Sequence, residues 1–196
     1  MQILELDVSG VPRSWLSIQK AVEHIAKNKV KWSLGEPVAT FRGGFNNDGE
    51  QSVIEPPSII AVTGTEFSKQ KRFPKITLTN DALFERDHNI CAYCGEKFSH
   101  KKLSRDHVIP VSRGGKNIWM NVVTACRPCN TKKDNKTPEE AGMKLLFLPY
   151  EPSHWEALIL RNRNILDDQM EYLLTRVSPN FLKRQKLVHS LENGNA

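Results

Sequence analysis

Two C-x-x-C pairs contain all four cysteines of the chain. The first pair is Cys91 and Cys94, the second is Cys126 and Cys129, and 31 residues separate them. Thiolates at this spacing are typical of a tetrahedral zinc site that has no open coordination position. Such an ion would be structural, and the long insert between the pairs leaves room for a second, catalytic site. The alternative is that four unrelated cysteines are buried without a metal.

An acid, a histidine and two asparagines lie in or beside this insert. Asp106 and His107 are adjacent, Asn121 precedes the second cysteine pair, and Asn130 follows that pair directly. An imidazole can take a proton from water near neutral pH, and a divalent cation can neutralise a scissile phosphate. Mg²⁺ and Mn²⁺ prefer oxygen ligands such as a carboxylate and an amide. These residue types therefore suit metal-assisted hydrolysis of a phosphodiester.

The order of these motifs resembles the HNH endonucleases, which are ββα-metal nucleases, in the subgroup that has a zinc knuckle. The pattern reads C-x-x-C, D-H-V-I-P, S-R-G-G, W-x-N and C-x-x-C-N-x-x-K, and the resemblance covers residues 80 to 138. It implies a DNA endonuclease that leaves 5′-phosphate and 3′-hydroxyl ends. The site residues that it implies are the general base His107, the metal ligands Asp106 and Asn130, the base-orienting Asn121, and Lys133 as a basic residue near the phosphate.

Two positions of the family's motif differ in this chain. The first is Asp106 rather than histidine, and the third is Asn130 rather than histidine. Oxygen ligands at both positions favour Mg²⁺ or Mn²⁺ over a catalytic zinc or nickel ion. Adjacent residues of a regular strand point to opposite faces, so Asp106 and His107 can serve one site only if the strand ends or bulges there.

Positive charge is concentrated in the same segment. Residues 91 to 136 contain ten Lys and Arg against three Asp and Glu, whereas the whole chain has a formal charge of +6. A local excess of this kind favours a polyanionic partner, most simply DNA. RNA is a second possible partner, and a basic surface that only contacts solvent is the alternative. The residues expected to contact the nucleic-acid backbone are Arg105, Arg113, Lys116, Arg127, Lys132 and Lys133.

The pattern of apolar residues predicts an α+β protein with three parts. These are a small α/β unit of unknown role at 1–75, a ββα-metal (HNH) core on a structural four-cysteine zinc site at 76–137, and a helical region at 138–196. Within the core we predict a helix at 81–88, a strand at 103–111 and a helix at 127–133. Elsewhere the expected helices are 14–28, 138–146, 153–163 and 165–177, and the tail from Ser178 is expected to be loose.

The chain starts without the basic and apolar pattern of a signal peptide and has no apolar run of membrane-spanning length. We therefore expect a cytoplasmic protein of bacterial or phage origin, where a reducing environment favours metal over disulfides. The rival function is a zinc-stabilised nucleic-acid-binding module without catalysis. Because one active site cuts one strand at a time, a double-strand break would require a homodimer, a larger nucleoprotein assembly or successive nicks.

Overall fold

The strands and helices of the chain form two compact units. The first unit consists of Met1–Pro74 and His154–Arg176, and the second of Lys75–Ser153 and Val177–Ala196. The computed structural model describes residues 1–64, 76–162 and 164–192. The segment 138–196, expected as one helical region, is thus shared between the units. Within the described residues, no helix is long and apolar enough to cross a membrane.

A four-stranded sheet organises the first unit. Its described elements are β1 (Gln2–Leu6), β2 (Pro12–Ser17), α1 (Ile18–Ala26), β3 (Val30–Pro37), β4 (Phe41–Phe45), β5 (Gln51–Ile54) and β6 (Pro57–Val62), together with α4 (His154–Arg161) and α5 (Asp167–Leu174). The strand order is β2-β1-β6-β3, and β4 and β5 form a separate hairpin. Alternate residues of β1 and β6 face opposite sides. One side packs on Leu158 and Leu173 of α4 and α5, and the other on Ala21 of α1.

Helix α1 is shorter than the predicted 14–28. Residues 14 to 17 instead pair with β1, from Glu5 opposite Ser14 to Gln2 opposite Ser17. The Ser17 side chain then caps the helix by accepting a hydrogen bond from the Lys20 backbone N–H at 3.2 Å. The apolar residues of this segment have helical spacing, so the sequence predicted a helix from residue 14. Pairing with β1 keeps residues 14 to 17 in a strand instead.

The second unit is built on an antiparallel strand pair. Its elements are α2 (Asn80–Arg86), β7 (Leu103–His107), β8 (Val122–Cys126), α3 (Arg127–Lys133) and α6 (Pro179–Glu192). The pairing of β7 with β8 runs in register from Leu103 opposite Cys126 to His107 opposite Val122. Helix α3 follows β8 directly, as predicted. Strand β7 ends at His107, four residues before the predicted end.

The predicted helix at 138–146 is wrong, because the segment forms turns instead. Its start signal is present: the Thr137 backbone N–H donates to the Glu140 carboxylate at 2.9 Å, and the Glu140 N–H donates back to the Thr137 hydroxyl at 3.4 Å. Gly142 then adopts a φ of +62°, which an α-helix does not accommodate. The chain therefore leaves the helical path within two turns.

The tail from Ser178 was expected to be loose, and this prediction is wrong. The tail forms α6, whose Phe181 and Val188 are buried. The guanidinium of Arg184 donates to the Leu148 carbonyl at 2.8 Å and to the carboxylate of Asp87. Leu187 and Leu191 pack on the same cluster as Val188, so apolar contacts and one buried ion pair together hold this helix.

The buried carboxylate of Asp87 is expected to be a main source of stability in the second unit. Asp87 and Arg86 are fully buried, and the carboxylate accepts hydrogen bonds from Arg86, Arg184 and the Thr124 backbone N–H. Burial opposes ionisation, but the two guanidinium groups outweigh it and lower the Asp87 pKa. The replacement Asp87→Asn leaves buried cations uncompensated, so unfolding in urea should show a loss of about 3–5 kcal/mol.

The matched control is Asp48→Asn, which removes an exposed carboxylate and should change stability little. The lowered pKa also gives the expected pH dependence. The stabilisation is complete above the ordinary carboxyl value of about 3.9 and is lost as the pH falls through the lower folded value. Equal stability of Asp87→Asn and Asp48→Asn would contradict this account.

Candidate active site

The four cysteine sulfur atoms converge within the second unit. Their Sγ atoms all lie within 4.8 Å of one another. Gly95, at φ +76°, turns the first pair back so that its N–H donates to the Cys91 carbonyl at 3.0 Å. Cys126 ends β8, and Cys129 lies in the first turn of α3. Zinc–sulfur bonds of about 2.3 Å place tetrahedral ligands about 3.8 Å apart, so this donor set fits a zinc ion.

In the absence of a cation, burial and the neighbouring sulfurs oppose ionisation of two of the four thiols. Burial raises the pKa of Cys94 to about 11 and raises that of Cys129 further, and the neighbouring sulfurs add to both effects. Burial opposes ionisation of Cys91 as well, but backbone N–H groups lower its pKa. Four thiols this close cannot all ionise without a positive charge among them. A structural divalent ion would supply that charge.

Asp106 lies in a buried polar cluster between the first C-x-x-C pair, β7 and α3. Only 4% of Asp106 is exposed, and only 1% of Lys133. The Lys133 ammonium donates to Asp106 Oδ1 at 2.9 Å and to the His107 carbonyl at 2.8 Å. The Tyr93 hydroxyl donates to Asp106 Oδ2. Burial, reinforced by the Asp106 charge, raises the Tyr93 pKa, so this residue stays a phenol donor.

Asn130 lies on the same face of α3 as Lys133, one turn earlier. Its Nδ2 donates to the Ser104 hydroxyl at 2.9 Å and to the Arg105 carbonyl at 3.4 Å. Because a carbonyl only accepts, the amide nitrogen must face the strand, which leaves Oδ1 for another partner. Ser104 and Asp106 share one face of β7. The structure therefore brings Asp106 and Asn130 to the same contact between β7 and α3.

His107 occupies the opposite face of β7. The pairing with β8 has no bulge, so His107 shares its face with Arg105 rather than with Asp106. Both side chains contact Asn117: the Oδ1 atom lies 2.8 Å from Arg105 Nη1 and 3.2 Å from His107 Nε2. Among the described hydrogen bonds, none joins the imidazole to Asp106 or Asn130. Strand β7 ends at His107, but this last residue still pairs in register with Val122, so the two side chains project from opposite faces.

Asn121 braces the loop that follows β7. Its Nδ2 donates to the carbonyls of Ile109 and Lys116 at 3.0 and 2.9 Å, and its Oδ1 accepts from the Ile109 N–H at 2.9 Å. Gly115 belongs to the same loop, where an added Cβ would lie 1.8 Å from the Ile109 carbonyl oxygen. The S-R-G-G and W-x-N motifs therefore shape one loop. The side chain of Asn121 makes no described hydrogen bond with the His107 ring.

The six basic residues expected at the nucleic-acid backbone have different environments. Lys116, Lys132 and Arg127 are exposed, and the Arg127 Nε also donates to the Lys101 carbonyl at 3.2 Å. Arg113 is exposed and pairs with Glu140 at 2.5 Å. Arg105 is half-buried against Asn117, and Lys133 is buried against Asp106. The structure thus leaves Lys116, Arg113, Arg127 and Lys132 on the surface and places Lys133 inside the site.

Two polar residues of the site were not predicted from the sequence. Tyr93 lies inside the first C-x-x-C pair, and its hydroxyl in that position could have indicated a polar role beside a metal site. Asn117 lies ten residues from His107 in a loop, and no periodicity connects the two.

A cavity of about 430 Å³ beside Asn130 is lined by Ser104, Arg127, Asn130, Thr131 and Asp134.

Comparison with known proteins matches the segment that contains this site. Residues 91–146 match the family model described as HNH endonuclease. The CRISPR-associated endonuclease Cas9 of Campylobacter jejuni subsp. jejuni serotype O:2 is 38% identical over 65 residues, which cover 30% of this chain and 7% of that protein. The resemblance to the HNH endonucleases is therefore confirmed for this segment.

Among solved structures, the Type II-C Cas9 enzyme from Actinomyces naeslundii matches with 22% identity and a TM-score of 0.31. That match covers 60% of this chain and 12% of the other. The chain thus spans a small part of the length of each relative.

Proposed function

We propose that this chain, whose residues 91–146 are an HNH endonuclease domain, is a metal-dependent DNA endonuclease. The observation that supports the proposal most directly is the grouping of Asp106 and Asn130 at the contact of β7 with α3, with His107 at the end of the same strand. In this proposal β7, β8 and α3 are the ββα-metal core, and the four cysteines bind zinc as its structural support.

The oxygen atoms of Asp106 and Asn130 suit a hard divalent cation. Each carboxylate oxygen of Asp106 has more than one acceptor position, and Lys133 and Tyr93 each occupy one. The amide of Asn130 is turned so that Oδ1 remains to bind. These residues would hold Mg²⁺ or Mn²⁺. When bound, the cation would neutralise charge on the scissile phosphate and on the departing oxygen.

Lys133 holds two parts of the proposed site in one arrangement. Its ammonium contacts the carboxylate of Asp106 and the backbone carbonyl of His107. Its buried position therefore links the metal ligand to the general base and attaches the end of α3 to β7. His107 would take the proton of the attacking water. Lys133 is thus proposed as a positioning residue rather than as a phosphate contact.

DNA is the proposed substrate, with 5′-phosphate and 3′-hydroxyl products. The exposed Lys116, Arg127 and Lys132 lie on the same unit as the site and would contact phosphates, so affinity should fall with added salt. Cleavage of both strands would need a homodimer, a larger nucleoprotein assembly or successive nicks.

The test is cleavage of supercoiled plasmid with Mg²⁺, Mn²⁺ or EDTA, followed by DNA ligase on the nicked product. We expect nicks in the presence of either cation, none in EDTA, and resealing by ligase, which requires a 5′-phosphate beside a 3′-hydroxyl. A folded RNA of similar length serves as the parallel substrate. Retardation of the plasmid without cleavage under every cation would instead support the zinc-stabilised binding module.

The Tyr93 hydroxyl is expected to tune the affinity of the catalytic cation. In Tyr93→Phe the ring remains but Asp106 Oδ2 loses its donor, and loss of such a supporting bond typically weakens metal affinity about 10–100-fold. The Mg²⁺ concentration for half-maximal cleavage should rise accordingly, while zinc content stays unchanged. The control is Tyr172→Phe, which removes a hydroxyl bonded to the Gly10 carbonyl in the first unit. An unchanged Mg²⁺ requirement in Tyr93→Phe would contradict the assignment.

A further inference from the structure

The side-chain amide of Asn117 contacts two residues that share a face of β7. Arg105 and His107 lie two residues apart in the strand, and both contact the same atom, Oδ1 of Asn117. The distances are 2.8 Å from Arg105 Nη1 and 3.2 Å from His107 Nε2, which are ordinary hydrogen-bond lengths. Asn117 therefore contacts the ring of the proposed base, whereas the described hydrogen bonds of the Asn121 side chain go to the loop backbone.

The chemistry of these three groups determines the hydrogen positions. A guanidinium only donates, so the Asn117 atom that faces Arg105 must be the oxygen. An amide oxygen only accepts, so His107 Nε2 must carry a hydrogen. In a neutral imidazole the other nitrogen, Nδ1, then has the lone pair. The contact with Asn117 thus selects one of the two tautomers of His107.

The structure holds Asn117 from several directions. Arg105 is half-buried, and its Nη2 also donates to the Leu78 carbonyl at 3.4 Å. The carbonyl of Lys116, the preceding residue, accepts from buried Asn121 at 2.9 Å. Two residues beyond, the buried indole of Trp119 donates to the Ile76 carbonyl at 3.0 Å. The amide is exposed, but the backbone on both sides of it is anchored.

We propose that Asn117, oriented by Arg105, is the positioning residue that makes Nδ1 the basic atom of His107. The inference rests on the proposed function of His107 as general base. The proton of the attacking water passes to Nδ1, and its O–H electron pair stays on the hydroxide oxygen. That oxygen forms the new bond to phosphorus while the bond from phosphorus to the 3′ oxygen breaks. The 3′ oxygen leaves with the electron pair and takes a proton from a solvent water, and protonated His107 returns its proton to solvent.

The tautomer can be measured without any cleavage. In ¹⁵N-labelled protein at alkaline pH, long-range ¹H–¹⁵N correlations distinguish Nε2–H from Nδ1–H, and the spectrum of His107→Gln assigns the signal among the six histidines. We expect the Nε2–H form in wild type and in Asn117→Asp, whose carboxylate also accepts, and a mixture in Asn117→Ala. An Nδ1–H form in wild type, or an unchanged tautomer in Asn117→Ala, would overturn the inference. Because the substrate is absent, this result is independent of whether the protein is a nuclease.

Kinetics provide the second measurement. Misplacing a catalytic group by about 1 Å can cost about 100-fold, so Asn117→Ala should lower kcat by about 10–100-fold with little change in KM. Asn117→Asp should recover most of kcat, and Asn135→Ala, which removes another exposed amide of the second unit, should behave as wild type. If Asn117→Ala fails to fold, Arg105→Met should give the same loss of kcat, because the amide is then free to turn. A rise in KM at unchanged kcat would make Asn117 a DNA contact and overturn the proposal.

Discussion

Removing zinc from the four-cysteine site is expected to unfold the second unit and abolish cleavage. Two of the four proposed ligands, Cys91 and Cys126, are buried and pack against Ala125, whereas Cys94 is exposed, so the ion would join the core of the unit to a surface turn. A structural zinc contributes an apparent free energy of about 10–16 kcal/mol near neutral pH. That is comparable to the whole stability of an ordinary domain, which is about 5–15 kcal/mol.

The measurement combines metal analysis with thermal unfolding of the full chain. Wild type should contain one zinc per chain, and a strong chelator should remove both the zinc and the unfolding transition of the second unit. Cys126→Ser should reproduce this effect. The control is chelator with excess zinc, which should leave the transition in place. A zinc-free protein with an unchanged transition would show that the cysteines do not hold a structural ion.

Asp106→Ala is expected to have two separable effects. It leaves the buried ammonium of Lys133 without its carboxylate, and breaking a buried pair from one side typically costs about 3–5 kcal/mol. It also removes one of the two proposed ligands of the catalytic cation, so nicking should fall to background at every Mg²⁺ concentration. Urea unfolding and plasmid nicking measure the two effects independently.

The double variant Asp106→Ala/Lys133→Met separates stability from chemistry. Removing the buried cation together with its partner should recover part of the lost stability, because no uncompensated charge remains. Activity should not recover, since the carboxylate is still missing. A double variant that is no more stable than Asp106→Ala would indicate that the pair is not coupled. Nicking by Asp106→Ala at the wild-type rate would remove Asp106 from the proposed site.

The spacing of the cysteines predicted that their four sulfur atoms would converge in the folded chain. Each C-x-x-C pair is local, and its geometry depends on a turn that the sequence itself shows, with Gly95 after the first pair and Pro128 in the first turn of α3. The predicted helix at 127–133 is confirmed, and its start is likewise set by a local signal, the proline in its first turn. Local signals of this kind need no knowledge of the rest of the fold.

Long-range contacts account for what the sequence did not show. A lysine is ordinarily exposed, whereas Lys133 is buried where the Asp106 carboxylate and the His107 carbonyl accept hydrogen bonds from it. Helix α6 depends on Arg184, whose carboxylate partner Asp87 is 97 residues away. Likewise, the choice between Asn117 and Asn121 as the partner of His107 depends on the course of a loop. None of these pairings has a periodic signature.

His107 is the proposed general base of a metal-dependent nuclease. The most direct test is the single-turnover rate of nicking of supercoiled plasmid, at saturating protein and Mg²⁺, by wild type and by His107→Ala. Because proton transfer by a positioned side chain typically contributes about 10²–10⁴-fold, we expect a rate loss in that range, with unchanged plasmid binding and zinc content. Equal nicking rates for the two proteins would contradict the account.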